Sequence, residues 1–278
     1  MARNPAKVLS AELNGIEATL VEGEADINVG LHAFSIVGLG DKAVSEAKER
    51  VNSALKNSGV KPPTKENRRI VINLAPADVK KTGSQFDLAI AIAYLMASEQ
   101  IGDFDAANKM FVGELSLEGK VKSAAGILAI GKLAERLGIE YLFLPKENAL
   151  EASLLPKIKA APIESLMDLV LILEGKKTLA VPPRAVFQPG YSLNHSDWNG
   201  IKGQAAAKRA LTVAAAGAHN ILLVGPPGAG KTLLAQSLNQ LLPPPHLEEA
   251  IEATQIWSAA ELLPPGTGFL KERPFRAP

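Results

Sequence analysis

Ile221-Leu222-Leu223-Val224-Gly225-Pro226-Pro227-Gly228-Ala229-Gly230-Lys231-Thr232 is the stretch on which the reading of this chain turns. Its last eight residues satisfy G-x-x-x-x-G-K-[ST], the phosphate-loop pattern. Average residue frequencies make one chance match in this length an event on the order of one per cent. The apolar residues ahead of the loop read as a buried strand, and residues 231–242 behind it as a helix. A strand that turns abruptly into a helix while aiming backbone N–H groups at a polyphosphate needs glycine. Gly225, Gly228 and Gly230 are expected to supply positive-φ turns and close backbone approach. Pro226, Pro227, Ala229 and Leu233 complete the cradle, and the helix start adds partial positive charge. Lys231 is expected on the β- and γ-phosphates and the Thr232 hydroxyl on Mg2+, so ATP and Mg2+ are the expected ligands.

Upstream of the loop, residues 203–217 read as an alanine-rich helix. Before that, residues 175–196 carry turn chemistry without a sustained period (Pro182-Pro183, Gln188-Pro189-Gly190, Asn194-His195-Ser196). The spacing therefore predicts a first domain over 1–175, a linker over 176–195 and a second domain over 196–278. In the first domain, residues 8–13 and 16–20 alternate as paired strands about Asn14-Gly15, and 27–37 continues extended. Ala43, Ala47, Val51, Ala54 and Leu55 give residues 41–58 a helical period that Gly59 stops. Residues 69–74 return to strand. Ser84-Gln85-Phe86-Asp87 has the form of a capping box ahead of an apolar helix over 86–97. A hairpin about Glu118-Gly119 is expected within 111–122. A helix over 127–137, strands at 141–144 and 158–162, and a helix over 165–173 follow. Strands in hairpins with packed helices predict an α+β first domain rather than a regular βαβ series.

The chain has 278 residues, 47% hydrophobic and 21% charged, with net charge +1 and no cysteine. Disulfides, thiolate metal sites and cysteine nucleophiles are excluded. The longest nearly uncharged apolar run, residues 88–97, is about half of a membrane span, and no secretory core follows Met1. A cytoplasmic protein with no membrane partner is expected. Near-neutral charge argues against nucleic-acid binding by bulk electrostatics while leaving room for a local basic groove.

Particular residues also carry a resemblance. Ile201-Lys202-Gly203-Gln204, Ala207-Lys208-Arg209-Ala210-Leu211, Leu242-Pro243-Pro244-Pro245 and Arg273-Pro274-Phe275-Arg276-Ala277-Pro278 resemble the AAA+ ATPases of the magnesium-chelatase group. Ser35-Ile36-Val37-Gly38-Leu39, residues 41–50 and Gly83-Ser84-Gln85-Phe86-Asp87-Leu88 are similar to the N-terminal domain of the YifB/ComM family. The resemblance implies a ribosomal-S5-like, Lon-protease-like domain ahead of an α/β P-loop AAA+ domain, incomplete here. It implies Ile201 and Gly203 beside the adenine, a homo-hexameric ring, and ATP hydrolysis coupled to remodelling of branched or single-stranded DNA in recombination and competence. Lon chemistry uses a serine activated by a lysine. The same alignment puts Gln85 at the nucleophile and Leu128 or Ile130 at the lysine, so proteolysis is not expected. Ser84, one residue early, reads as a helix cap.

After Thr232 no run of four apolar residues followed by Asp-Glu occurs, so the carboxylate that would help hold Mg2+ and direct hydrolysis is not seen. The chain is expected to be the front part of a longer protein, and by itself to bind nucleotide without turning it over. Lys56, Lys61, Lys65, Arg68, Arg69, Lys80 and Lys81 read either as a DNA contact or as a solvated face without interleaved aromatics. Lys202, Lys208 and Arg209 read as exposed helix charges, Trp198 and Trp257 as packing residues. His32, His195, His219 and His246 lack ligand-type spacing, and Ser192, His195 and Asp197 have triad residue types on a linker that cannot hold them rigid. Rival readings are a metal-chelatase ATPase subunit, an ATP-dependent Lon-like protease and a nucleotide-binding adaptor.

Overall fold

The tight turn expected at Asn14-Gly15 falls one residue later, on Gly15 and Ile16, with Gly15 at φ 62° and Asn14 paired opposite Glu17 as the last residue of its strand. The turn joins β1 (Ala6–Asn14) to β2 (Glu17–Val29) in a long antiparallel ribbon whose register runs from Asn14 opposite Glu17 to Ala6 opposite Ala25. The computed structural model describes residues 6–65, 67–102, 104–188, 196–264 and 266–275. These form two compact units, residues 1–185 with 255–268, and residues 186–254 with 269–278.

The first unit is built on a seven-stranded sheet. To β1 and β2 it adds β3 (Ala33–Val37), β4 (Arg68–Ala75), β5 (Lys109–Phe111), β8 (Tyr141–Pro145) and β9 (Lys159–Ile163), in the order β3-β4-β2-β1-β5-β8-β9. The expected extended run over 27–37 is two strands, because the chain turns at residues 30–32 and β3 pairs with β4 instead of continuing β2. β2 pairs antiparallel with both β1 and β4, whereas β3–β4, β1–β5, β5–β8 and β8–β9 are parallel. The sheet is therefore richer in parallel pairing than the hairpin reading expects. Crossovers through α3 (Ile127–Arg136) and α4 (Ala149–Ala152) return the chain to the same sheet edge, as βαβ units do. The expected 111–122 hairpin shrinks to β6 (Glu114–Leu115) paired with β7 (Val121–Lys122), because β5 leaves to join the large sheet.

One face of the sheet packs on α1 (Lys42–Asn57), α2 (Asp87–Ala97) and α5 (Leu166–Leu173) through Ile70, Ile72, Leu74, Val51, Leu55, Ile90 and Leu169. The opposite face, around β1, β5 and β8, packs on α3 through Met110, Leu142, Leu128 and Ile130. α2 is buried all round because it lies between layers, with Leu88 through Leu95 inaccessible. Its first turn is not closed by Ser84, contrary to expectation. The N-cap is Phe86 without a side-chain bond, and the Leu88 amide donates instead to the Gly113 carbonyl at 3.1 Å. Asp87, expected to serve a capping box, is a fully buried carboxylate gripped by Arg50 at 2.7 and 3.0 Å and by the Leu115 amide at 3.2 Å.

In the second unit α6 (Ser196–Gly200), α7 (Ala205–Gly217) and α8 (Lys231–Ser237) pack through Ile201, Leu211 and Leu234, with Trp198 and Leu223 at the margin. The helix after the phosphate loop is shorter than expected as an α-helix and continues as a 3-10 turn, Leu238–Leu241. Residues 221–224 form no strand, and Leu222 and Val224 are 84% and 85% exposed. A buried parallel strand needs neighbours at its edges and layers on both faces, and among the described residues no strand pairs with it. α9 (Leu247–Ala259) completes the described elements.

Burial pushes the Asp87 carboxyl up from 3.8 to about 6, with Arg50 pulling in the opposite direction. Since its folded value lies above its unfolded one, the group favours the fold most when protonated, and that share is lost as pH rises from about 4 to about 6. Removing Arg50 strands a buried carboxylate. Arg50→Met is expected to cost about 3–5 kcal/mol near pH 8 and clearly less near pH 5, where Asp87 is protonated. Urea unfolding at the two pH values checks this, and an equal loss at both contradicts it.

Candidate functional site

The chain reaches the phosphate loop from α7, turns through residues 218–230 and enters α8 at Lys231. Gly228 and Gly230 both stand at φ 79°, a region that side chains rarely adopt, and nothing lies within 4 Å of where a Cβ would be. Gly225 was expected to share this role, but it is not among the positive-φ residues, and a Cβ there would meet Ala229 at an ordinary 3.7 Å. The Ala229 amide donates to the Pro226 carbonyl at 3.3 Å, closing the turn around Pro227.

Gly230 caps α8 without any side-chain bond. The Leu234 amide is the one that reaches back to the Gly230 carbonyl, at 2.9 Å. The amides of Lys231, Thr232 and Leu233 therefore stand at the helix start with no intrahelical acceptor by position. The Lys231 ammonium is folded over the loop and donates to the Gly225 and Pro226 carbonyls at 2.9 and 2.8 Å. These groups fit an anionic phosphate chain, with amides and an ammonium as donors and a threonine hydroxyl at the rim.

Ile201 is 9% exposed and belongs to the small core with Leu211 and Leu234, while Gly203, at φ 70°, is exposed. Gln204, the next residue, reaches the loop: its Nε2 donates to the Ala229 carbonyl at 3.3 Å. Lys208 is not the free helix charge that was expected. Its ammonium donates to the Trp198 carbonyl at 3.0 Å and to the Ile201 carbonyl, and lies 5.5 Å from the centre of the Trp198 ring. Trp198 packs, as expected, and Arg209 and Lys202 are exposed.

The first unit has a second concavity of about 610 Å3, lined in part by Thr82, Ser84, Gln85, Glu114, Glu151 and Ser258. Glu12, only 3% exposed, accepts from the Thr82 hydroxyl at 2.6 Å, the Thr82 amide at 3.1 Å and the Gln85 amide group at 3.2 Å. Burial pushes its carboxyl up, against the pull of the Thr82 bonds. Asp41 caps α1 by accepting from the Val44 amide at 2.9 Å and also receives the Gly83 amide at 3.3 Å. Ser84 donates its hydroxyl to Glu114, a charged acceptor that outcompetes a helix amide. Glu151 is 2% exposed and closes the start of α3, accepting from the Leu128 amide at 3.0 Å and the Ser258 hydroxyl at 2.5 Å.

Among the described residues lining this concavity none is Lys or Arg. Lys81, counted with the basic stretch from the sequence, is fully buried with its ammonium on the Pro76 carbonyl, and burial pushes its pKa down. Leu128 and Ile130 face the core. Lys56, Lys61, Lys65, Arg68, Arg69 and Lys80 are exposed. Arg69 sits opposite Asn28, in a shallow surface that also carries Glu24 and Asp26. Among the described residues no group of three or more His, Cys, Asp or Glu is placed to hold a metal ion. Ser192 and His195 lie outside the described residues, as do the Asp197 side chain and residues 276–278.

Residues 23–148 match the family model for subunit ChlI of Mg-chelatase, and residues 197–278 match that for magnesium chelatase, subunit ChlI. The competence protein ComM of Haemophilus influenzae is 41% identical over 98% of this chain and 53% of its own length. The uncharacterised protein YifB of Escherichia coli is 39% identical over 95% of this chain and 51% of its own length. The chain belongs to the YifB/ComM family of magnesium-chelatase-like proteins.

A Lon protease of Chloroflexus aurantiacus is 27% identical over 56% of this chain and 19% of its own length. This YifB/ComM-family chain spans about half the length of the curated relatives it matches. Among its described residues no helix is long and apolar enough to cross a membrane.

The sequence points to the loop and to residues 201–204 but not to the ties made by Lys208 and Glu12, since no local pattern marks partners 10 and 70 residues away. Glu12→Ala removes a charged acceptor from Thr82 and Gln85. It is expected to cost the first unit about 2–3 kcal/mol and to speed hydrogen exchange at the Thr82 amide. Unchanged exchange there would contradict the role given to Glu12.

Proposed function

We propose that this chain binds ATP with Mg2+ on residues 225–233. The backbone of Gly225, Pro226, Pro227, Gly228, Ala229 and Gly230 and the first-turn amides through Leu233 would receive the phosphates, Lys231 would supply the cation, Thr232 would ligate Mg2+, and Ile201 and Gly203 would border the base. The observation that carries this is the Gly228–Gly230 turn opening onto a helix start capped by no side chain, with the Lys231 ammonium folded across it. The bound Mg2+ would neutralise phosphate charge. On this reading Lys231 exchanges two loop carbonyls for phosphate oxygens, a stronger, charge-paired bond.

The same proposal divides the chain into a Lon-like domain over 1–175, a linker over 176–195 and the front of an AAA+ module over 196–278. The Lon-like domain is read as proteolytically silent, because Gln85 stands where a nucleophile is needed and the serine beside it donates to Glu114, whose other oxygen lies 3.7 Å from the Lys122 ammonium, so that lysine is paired with the carboxylate. In the whole protein we place an ATPase of the YifB/ComM type, assembled as a homo-hexamer and coupling hydrolysis to remodelling of branched DNA. Support for the DNA role is the likeness to a relative whose name ties it to competence.

Lys231→Ala is expected to weaken ATP binding by the 278-residue chain about tenfold or more, the worth of a charged hydrogen-bond partner, with the melting curve unchanged. Titration with a fluorescent ATP analogue reads it. Equal affinity in the two proteins would remove the basis of the reading. In the whole protein the same substitution is expected to abolish ATP-dependent movement of a synthetic four-way DNA junction.

A further inference from the structure

Beside the phosphate loop stands a second lysine whose place in the fold is unlike that of Lys231. Lys208, on the first turn of α7, sends its ammonium back to the Trp198 carbonyl at 3.0 Å and to the Ile201 carbonyl, and over the Trp198 ring at 5.5 Å. Its own amide donates to the Gln204 carbonyl at 2.9 Å. Trp198 is held from the other side, its amide donating to the Gln240 side chain at 3.3 Å. One side chain thus ties the start of the segment over residues 198–204 to its middle.

That turn is under tension. Gly203 and Gln204 follow one another at φ 70° and 54°, and a non-glycine residue in that region costs on the order of 1 kcal/mol or more. Such a conformation persists only where the surroundings dictate it. Here the result is that the exposed Gln204 side chain reaches the Ala229 carbonyl on the phosphate loop at 3.3 Å. The turn is tied to the loop at one end and to Lys208 at the other. A nucleoside attached to phosphates on the loop has this turn as a neighbour.

We propose that Lys208 is a positioning residue for the nucleoside half of the ligand: by clamping the Trp198 and Ile201 carbonyls it holds residues 198–204 in the shape that receives the base and ribose, and it does not contact the phosphates. This rests on the reading of residues 225–233 as an ATP site. Lys208 acts on binding of the nucleoside, Lys231 on binding of the phosphates, and the two contributions are separable. The carbonyl partners of Lys231 lie on the phosphate loop itself, whereas Lys208 places two of its three donors on residues 198 and 201 and its charge over the Trp198 ring, so the two ammoniums serve different segments.

The test compares ATP with inorganic tripolyphosphate, each displacing a fluorescent ATP analogue from the 278-residue chain in the presence of Mg2+. Lys208→Met is expected to weaken ATP about tenfold, the scale of a lost hydrogen bond to a charged group, and to leave tripolyphosphate within about twofold, a difference of well under one such bond. Lys208→Arg, which keeps a cation over the same carbonyls, is expected to recover most of the ATP affinity. Gln204→Ala, an exposed change that leaves the Lys208 clamp intact, is expected to give the same selective loss and keeps the question open to measurement should Lys208→Met unfold. Lys231→Ala is expected to weaken both ligands. If Lys208→Met and Gln204→Ala weaken ATP and tripolyphosphate equally, or neither, while Lys231→Ala weakens both, the positioning role is overturned and the phosphate-loop reading stands. If Lys231→Ala changes neither, the phosphate-loop reading fails, and this inference with it.

Discussion

Every helix begins with amides that have no acceptor in the helix, and how each is satisfied organises this protein. In four helices of the first unit the answer is another protein group. Asp41 closes α1, the Gly113 carbonyl receives an amide of α2, Glu151 and Ser258 close α3, and Ser165 caps α5. Each bond joins a helix start to a neighbouring residue or to a distant loop, so satisfying the helices also locks the layers together. At α8 the cap is a glycine with a left-handed backbone and no side chain to offer. The same physical demand that stabilises the first unit becomes, at that position, a capacity to accept an anion.

The concavity of the first unit shows what that locking does to chemistry. Its hydroxyls and carboxylates are partnered with one another: Thr82 and Gln85 with Glu12, Ser84 with Glu114, Ser258 with Glu151. Ser84 donates its proton to Glu114, and Lys122 is paired with that same carboxylate at 3.7 Å, whereas a serine–lysine nucleophile needs the amine free to take the serine's proton. Burial raises the carboxyls of Glu12, Asp87 and Glu151 together. The polar groups of this cleft hold loops in place.

Much of the first unit was legible because its signals are local. The hairpin signal at Asn14-Gly15 was right to within one residue, the apolar spacing over 41–58 can bury only one helical face, and the helix expected over 165–173 forms at Leu166–Leu173. Sheet order was not legible. Whether residues 109–111 pair with 121–122 or run parallel to β1 and β8 depends on which neighbour is already in place, and no spacing within the strand encodes that. Ser84 misled for a related reason: the residue type suits a cap, but a carboxylate thirty positions later offers a better acceptor.

Residues 225–232 by themselves pointed to the proposed site, because the loop's left-handed turns fall on Gly228 and Gly230 and the adjacent Lys231 brings a cation onto it. The cysteine-free composition and the apolar periods likewise settled what the chain cannot do and where its helices run. Only the tertiary structure decided which charges are free and which are committed. Lys81, Lys208 and Asp87 look alike on paper to their exposed neighbours, and burial beside a carbonyl or a guanidinium is what turned each into a structural tie. The reason is that desolvation acts through the packed environment of a group, and that environment is assembled from residues far apart in the chain.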